Sequence, residues 1–395
     1  MKQRYNELSH EICVRSVLEA LDKKWRRKDI LLLMEKYGGV PRSLMLESIK
    51  EQDMNLRLDA AESIAYELEQ RIKDLMNGEE DALDFAPVIT TQRRDGATGK
   101  IRDIARLDIF HQILGHLLYH GLEPLLKARI TPFQFASIPH RGQNGLVRKL
   151  KKSVWHVKYA VKLDVVSAYK SAQYESVIKI LKQEIPNAEW IICCIEAISR
   201  IAPDGHLIIG GYLDAWLFNF LMSYAVVYLK SLHKTRRGKR TYTVKELVVY
   251  MDDFGLMGDN LHALDQAAYA LSCWLDNNYQ MKIKTGKATR IGKRSDGKSA
   301  SGLDIGGYVV CKGIVKIRRS IFRRARRQLL RAAREVERMG TMPLCRAQKL
   351  IAYFGYFKHS NSRKAAENLQ TKELLKNARH VVGYHMRRYR AKCCI

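Results

Sequence analysis

The chain has 395 residues, 46% hydrophobic and 28% charged, enough apolar material for a sizeable core spread over two or three subdomains. Lys and Arg outnumber Asp and Glu by 69 to 41, a formal charge of +28, so the expected partner is a polyanion, nucleic acid before membrane. No apolar run reaches about 18 residues and no secretory segment stands near the start, which argues against a membrane span.

Residues 1–85 read as helices, with amphipathic stretches such as SVLEALDKKW and AAESIAYELEQRIKDLM. TTQRRDGATGKIRDI follows as a basic loop or hairpin presenting Arg93, Arg94, Lys100 and Arg102. A long apolar helix comes next and is expected to end near GLEP. Its His116 and His120 are spaced i,i+4 but lack the acidic residue of an H-E-x-x-H metal pair, so they read as core or groove histidines. FASIPHRGQNGLVRKLKK is a basic turn whose Gly142 and Gly145 open another helix.

YAVKLDVVSAYKS, rich in Val and bounded by lysines, predicts a buried strand. Residues 174–205 look helical, and Gly205, Gly210 and Gly211 mark the turn before the apolar helix YLDAWLFNFLMSYAVVYLKSL, expected at the centre. VVYMDDFGLMG predicts a β-hairpin with two carboxylates at its tip and no counter-ion of its own. GLDIGGYVVCKGIVKI predicts a second, glycine-marked hairpin.

The tail is different in character. Residues 316–395 hold 22 Lys and Arg against 4 Asp and Glu. Within RRSIFRRARRQLLRAAREVERMG, Phe322, Ala325, Leu329, Ala332 and Val336 form one helical stripe. Six arginines in residues 318–327 repel one another unless phosphates neutralise them, which predicts a nucleic-acid-facing helix. Eight cysteines, two adjacent pairs among them (Cys193-Cys194 and Cys393-Cys394), show no C-x-x-C spacing. That is a poor zinc or disulfide pattern and points to a reducing cytoplasm.

Phosphoryl transfer to a hydroxyl uses two divalent ions about 4 Å apart. An economical protein solution is one aspartate at a strand end and a pair on an adjacent hairpin. KLDVVSAY supplies Asp164 and YMDD supplies Asp252 and Asp253.

On these residues the chain resembles bacterial reverse transcriptases: YMDDF is similar to their signature hairpin, and KLDVVSAY to their first palm motif. The resemblance covers roughly residues 90–360 and is nearest to the stand-alone enzymes of diversity-generating retroelements and group II-like relatives. It implies an α+β right-hand polymerase with an N-terminal helical region (1–85), fingers (86–157) and a palm with an antiparallel sheet (158–315, finger insertion about 170–205). A basic helical thumb (316–395) completes it. By motif position, Asp164, Asp252 and Asp253 would be catalytic and bind two Mg2+ ions, with Mn2+ as the substitute. Tyr169 would lie under the nucleotide sugar and exclude a ribose 2′-hydroxyl. Arg102, Arg141, Gly210 and Lys282 would contact the nucleotide. Gly307 and Tyr308 of LDIGGY, in the place of the primer grip, and Arg323, Arg324 and Arg327 of the thumb would contact nucleic acid.

The implied activity is RNA-directed DNA polymerisation by a nucleotidyltransferase, using an RNA template, a DNA or RNA primer and dNTPs. The expected setting is a diversity-generating retroelement, with a small basic accessory protein, or antiphage defence with a structured non-coding RNA. An RNA-dependent RNA polymerase and an inactive RNA-binding protein are the competing readings. Tyr169 and Tyr250-Met251 argue against the first, and the three intact aspartates against the second. One departure concerns the central helix: IIGGYLDAW has Ile209 where many relatives carry Gln, and Asp214-Ala215 where they carry Ser-Pro or Ser-Gln.

Overall fold

The computed structural model describes residues 4–51, 53–94, 99, 101–299 and 301–392. Lys100 and the Cys393-Cys394 pair therefore lie outside the described residues. Helices α1 (His10–Leu21), α2 (Lys28–Gly38), α3 (Arg42–Glu51) and α4 (Asn55–Met76) come first. In α1, Cys13, Val17, Ala20 and Leu21 form the buried stripe, spaced as one helical face requires. The hairpin β1 (Ile89–Arg94) and β2 (Ile101–Arg106) follows, then α5 (Ile109–Arg129).

The helix expected to stop near Glu123 instead runs through Pro124 to Arg129. Proline has no N–H to donate to the carbonyl four residues back, which is that of His120. Asn6 fills the gap: its Nδ2 donates to His120 O at 2.8 Å and its backbone N–H to Gly121 O at 2.9 Å. A donor from a distant segment thus lets the helix continue.

Next are α6 (Gly142–Ser153), β3 (Tyr159–Val165), α7 (Ala168–Ser171), α8 (Tyr174–Glu184), α9 (Glu189–Ile201) and α10 (Tyr212–Ser231). Helix α10 is long and apolar enough to cross a membrane, yet 72% of that stretch is buried in the fold. A small hairpin, β4 (His233–Arg236) and β5 (Lys239–Tyr242), leads to β6 (Glu246–Tyr250), β7 (Asp253–Gly258), α11 (Leu261–Tyr279), β8 (Ile283–Thr285) and β9 (Thr289–Arg290). The main sheet is antiparallel in the order β6-β7-β3-β8, with β9 beside the start of β3.

Side chains alternate across β3. Val161, Leu163 and Val165 join the large core, which runs continuously from α1 to α11; Ala160 joins a second core on the opposite face. The N-terminal helices thus share the core of the main sheet instead of forming a separate body. Three further strands, β10 (Leu303–Ile305), β11 (Tyr308–Cys311) and β12 (Ile314–Ile317), form a meander where a single hairpin was expected. They pack on that second face against Gly255 of β7. A Cβ there would lie 2.7 Å from Leu303 Cδ2 and 2.9 Å from Val248 Cγ2, so those side chains would have to shift to admit one.

Helices α12 (Arg319–Met339), α13 (Leu344–Lys358), α14 (Arg363–Asn368) and α15 (Thr371–Lys392) complete the chain and enclose a third core. Ala325, Leu329 and Ala332 are buried in α12 as the stripe predicted, joined by Ile321, and Phe322 and Val336 pack at its edge. The protein is a mixed α+β molecule with antiparallel sheets.

Candidate active site

β6 and β7 are joined by a two-residue turn, Met251-Asp252, between the paired Tyr250 and Asp253. Met251 takes φ +55°. That left-handed backbone costs a non-glycine residue roughly 1–2 kcal/mol. Packing holds it: Met251 lies against the large core, with its Sδ 3.8 Å from Nδ2 of the buried Asn219. Asn219 Nδ2 also donates to the carbonyls of Ala136 and Ala215, and Gln134 Nε2 donates to Asn219 O at 2.6 Å. The strained turn therefore rests on a buried amide network.

β3 lies between β7 and β8. Asp164 is paired with Asp253 on one side and Lys284 on the other, so the three side chains form a row on one face of the sheet. Asp252 sits at the tip beside them, its carbonyl accepting the Val165 N–H at 3.0 Å. The missing counter-ion comes from β3: Lys162 Nζ is 2.7 Å from Asp253 Oδ1. Burial raises the pKa of Asp253 against the pull of Lys162, and the charge of Asp252 and a side-chain hydrogen bond with Asp164 add to the rise. Asp252 is also raised, first by burial and further by Asp164, while Arg102 and Lys162 oppose the shift. Half-buried carboxylates that repel each other are primed to accept a cation.

Among the described residues no three His, Cys, Asp or Glu side chains converge as a ready-made metal cage. Asp253 is turned to Lys162, which leaves Asp164 and Asp252 as the available pair. Such a donor set suits magnesium, which takes one or two carboxylates and completes its shell with water and substrate phosphates.

Tyr169 follows β3 and is half-buried, stacked on Phe218 of α10 with ring centroids 5.4 Å apart. Burial pushes its hydroxyl well above the usual tyrosine range, and Asp214 and Asp252 add to the effect. The ring thus stands within electrostatic reach of the hairpin tip. It also lines a 170 Å³ pocket together with Ala105, Ile209 and the Asp103–Lys170 ion pair, which measures 2.8 Å. Arg102 is exposed on β2 and acts on both Tyr169 and Asp252.

Gly210 has φ +117°, and a Cβ on it would lie 2.9 Å from Ala105 O. Only glycine lets β2 approach this closely, and Ala105 N donates to Ile209 O at 2.9 Å. Asp214 explains the departure in the central helix. It is buried, and its Oδ1 accepts from Ile208 N and Tyr174 Oη at 2.6 Å each. Burial pushes Asp214 up to about 6 against those two bonds. It anchors the loop that carries Ile209 and Gly210.

The remaining expected residues are more scattered. Arg141 directs Nη1 to the carbonyls of Thr131 and Gln134, at 2.5 and 2.9 Å, and so ties down the 131–141 turn. Lys282 is exposed next to the end of β3, its carbonyl accepting the Val166 N–H at 2.9 Å. Gly307 (φ +87°) lies beneath Tyr356, and Tyr308 is fully buried with its hydroxyl donating to Gly355 O at 3.4 Å. A nucleic-acid contact at Tyr308 would therefore not involve its ring, which is packed in the second core beside Tyr356. Arg323 and Arg327 are exposed on α12, and Arg324 points to the β1–β2 hairpin, its Cζ 3.4 Å from where a Cβ on Gly99 would lie.

Lys162, Asp214, Gln134 and Asn219 escaped the sequence reading. For Lys162 a signal existed, since a residue two before Asp164 on a strand shares its face. No protein-family model matches the chain, and no curated protein matches it either.

Proposed function

We propose that the chain is a reverse transcriptase, an RNA-directed DNA polymerase working on an RNA template and a DNA or RNA primer with dNTPs. The observation that supports this best is the meeting of Asp164, Asp252 and Asp253 at one strand end with Tyr169 beside them. In this reading the main sheet is the palm, the β1–β2 hairpin with the 131–153 segment forms the fingers, and α12–α15 form the thumb. Asp164 and Asp252 would hold two magnesium ions together with the nucleotide phosphates, and the ions would activate the primer 3′-hydroxyl and steady the leaving pyrophosphate.

The chain's own residues perform the rest. Lys162 holds Asp253 in position, so that it supports the other two carboxylates. Tyr169, braced by Phe218, presents a flat wall to the sugar. Arg102 reaches the same space from the fingers and is placed to meet phosphate oxygens. Diversity generation and antiphage defence would use the same site and differ in their RNA partners.

Primer extension on an RNA template in magnesium tests the reading. The wild type should incorporate dNTPs well above rNTPs, and Asp252→Asn should abolish synthesis while RNA affinity stays within about twofold, because the basic surfaces are untouched. Full synthesis by a folded Asp252→Asn variant would sink it.

A further inference from the structure

A cleft of 820 Å³ lies away from the aspartates, between the α1–α2 turn, β2 and α15. Its rim is cationic, with Lys24 and Lys28 from one side and Arg106 from β2, while Lys23 is paired with Asp22 at 2.9 Å. Arg27, also on the rim, is already neutralised by Asp29 through Nε to Oδ1 at 3.0 Å. The floor is apolar: Leu32, Ile49 and Met386 line it, with Leu32 41% and Met386 51% exposed.

The turn that carries the lysines is built, not loose. Trp25 is buried under the Arg57 guanidinium, 5.9 Å from its ring. Backbone bonds from Lys24 N to Leu21 O and from Arg27 N to Lys24 O close the turn, and Lys24 Nζ donates to Ala20 O at 2.7 Å.

We infer that this cleft holds an unpaired segment of RNA, its phosphates on the lysine and arginine rim and its bases on the apolar floor. A duplex hides its base faces and would leave Leu32 and Met386 in water, whereas a single strand offers both charge and flat apolar surface. The two places are also joined by one strand: Arg102 acts on Asp252 from one end of β2 and Arg106 lines the cleft at the other, a span of roughly 13 Å. A template strand leaving the site along β2 arrives in the cleft. The inference rests on the polymerase reading for the origin of the RNA, but the binding itself is measured without nucleotide or metal.

The test uses the full chain in EDTA with a labelled short oligouridylate and a labelled short RNA duplex. Replacing Lys28 and Arg106 by Gln should flatten the log K against log salt slope for the single strand by about 1.4 units. Duplex affinity should change less than twofold. Leu32→Ser with Met386→Ser should weaken single-strand binding several-fold at an unchanged slope. Equal losses on single strand and duplex would reduce the cleft to general surface charge, and no loss in either variant would overturn the inference. Wild-type binding to phosphatidylserine vesicles that the Lys28 and Arg106 double variant loses, with oligouridylate binding unchanged, would overturn it in favour of a membrane surface. A wild type that fails to extend a primer while these differences persist would remove the polymerase reading and leave the cleft standing.

Discussion

Lys162 Nζ and Asp253 Oδ1 stand 2.7 Å apart across adjacent strands, and this ion pair answers the charge problem of the hairpin. The two side chains are 32% and 15% exposed, so the pair is only partly screened. Lys162→Met leaves Asp253 half-buried without a counter-ion and should destabilise the protein by about 1–3 kcal/mol. In the Lys162→Met background, Asp253→Asn should recover part of that loss. A double-mutant cycle from denaturant unfolding measures the coupling, and a value near zero would show that the pair carries no weight.

Tyr169 leans on Phe218, and in the proposed polymerase reading a smaller residue there would open space for a ribose hydroxyl. Tyr169→Val should raise rNTP use relative to dNTP use at least tenfold on a primed RNA. It should also lower stability by about 1–3 kcal/mol through the lost ring contacts. A stable, active variant with unchanged sugar preference would make Tyr169 a packing residue only.

Asp214 should give the protein a distinctive pH response. Its folded value is pushed up to about 6 by burial, against about 3.9 in an unfolded chain. The folded state therefore binds the proton first, and this group's contribution to stability rises as pH falls from about 6 to about 4. Above 6 the buried charge is a standing cost of roughly 3 kcal/mol. Asp214→Asn keeps an oxygen for Ile208 N and Tyr174 Oη, so its melting temperature relative to wild type should be highest near pH 8 and decline toward pH 4.5. Asp214→Ala orphans both donors and should lose about 2–4 kcal/mol at either pH. Melting curves across that range decide the matter, and a difference between Asn variant and wild type that is flat with pH would contradict the assignment.

Arg323 and Arg327 are exposed on the same face of α12. Their joint replacement by Gln should flatten the salt dependence of template–primer binding by about 1.4–1.8 units. Processivity should fall before single-nucleotide addition does, with no change in sequence preference, since backbone contacts carry little base information. An unaltered salt slope would place the duplex elsewhere.

The parts of this architecture legible in the sequence are those set by local pattern. The apolar run LVVY, the turn at Met251-Asp252 and the Val-rich stretch YAVKLDVV mark the hairpin and the strand by local composition. The α12 stripe is likewise a matter of spacing along one helix. The Lys162–Asp253 pair depends on the register of strands some 90 residues apart, which no local pattern encodes. Asp214 looks polar in sequence and is buried because Tyr174 and Ile208, from two other segments, meet it. Tyr308 was placed by motif position, and its burial becomes visible only once β11 is sandwiched beneath Tyr356.

The repair of α5 by Asn6 has a consequence for how the chain is made. The carbonyl that Asn6 Nδ2 occupies belongs to a residue 114 positions later. At about 5–20 residues per second of synthesis, Asn6 waits on the order of 6–20 seconds for its partner. Nearby, Arg4 pairs with Glu184 and Tyr5 Oη donates to Asn187 O, residues that emerge later still. The first described residues of the chain thus wait for partners made 114 to 182 positions later. A bulky fusion placed just before them, or an early proteolytic nick, would act on assembly of the polypeptide while leaving every candidate catalytic side chain intact.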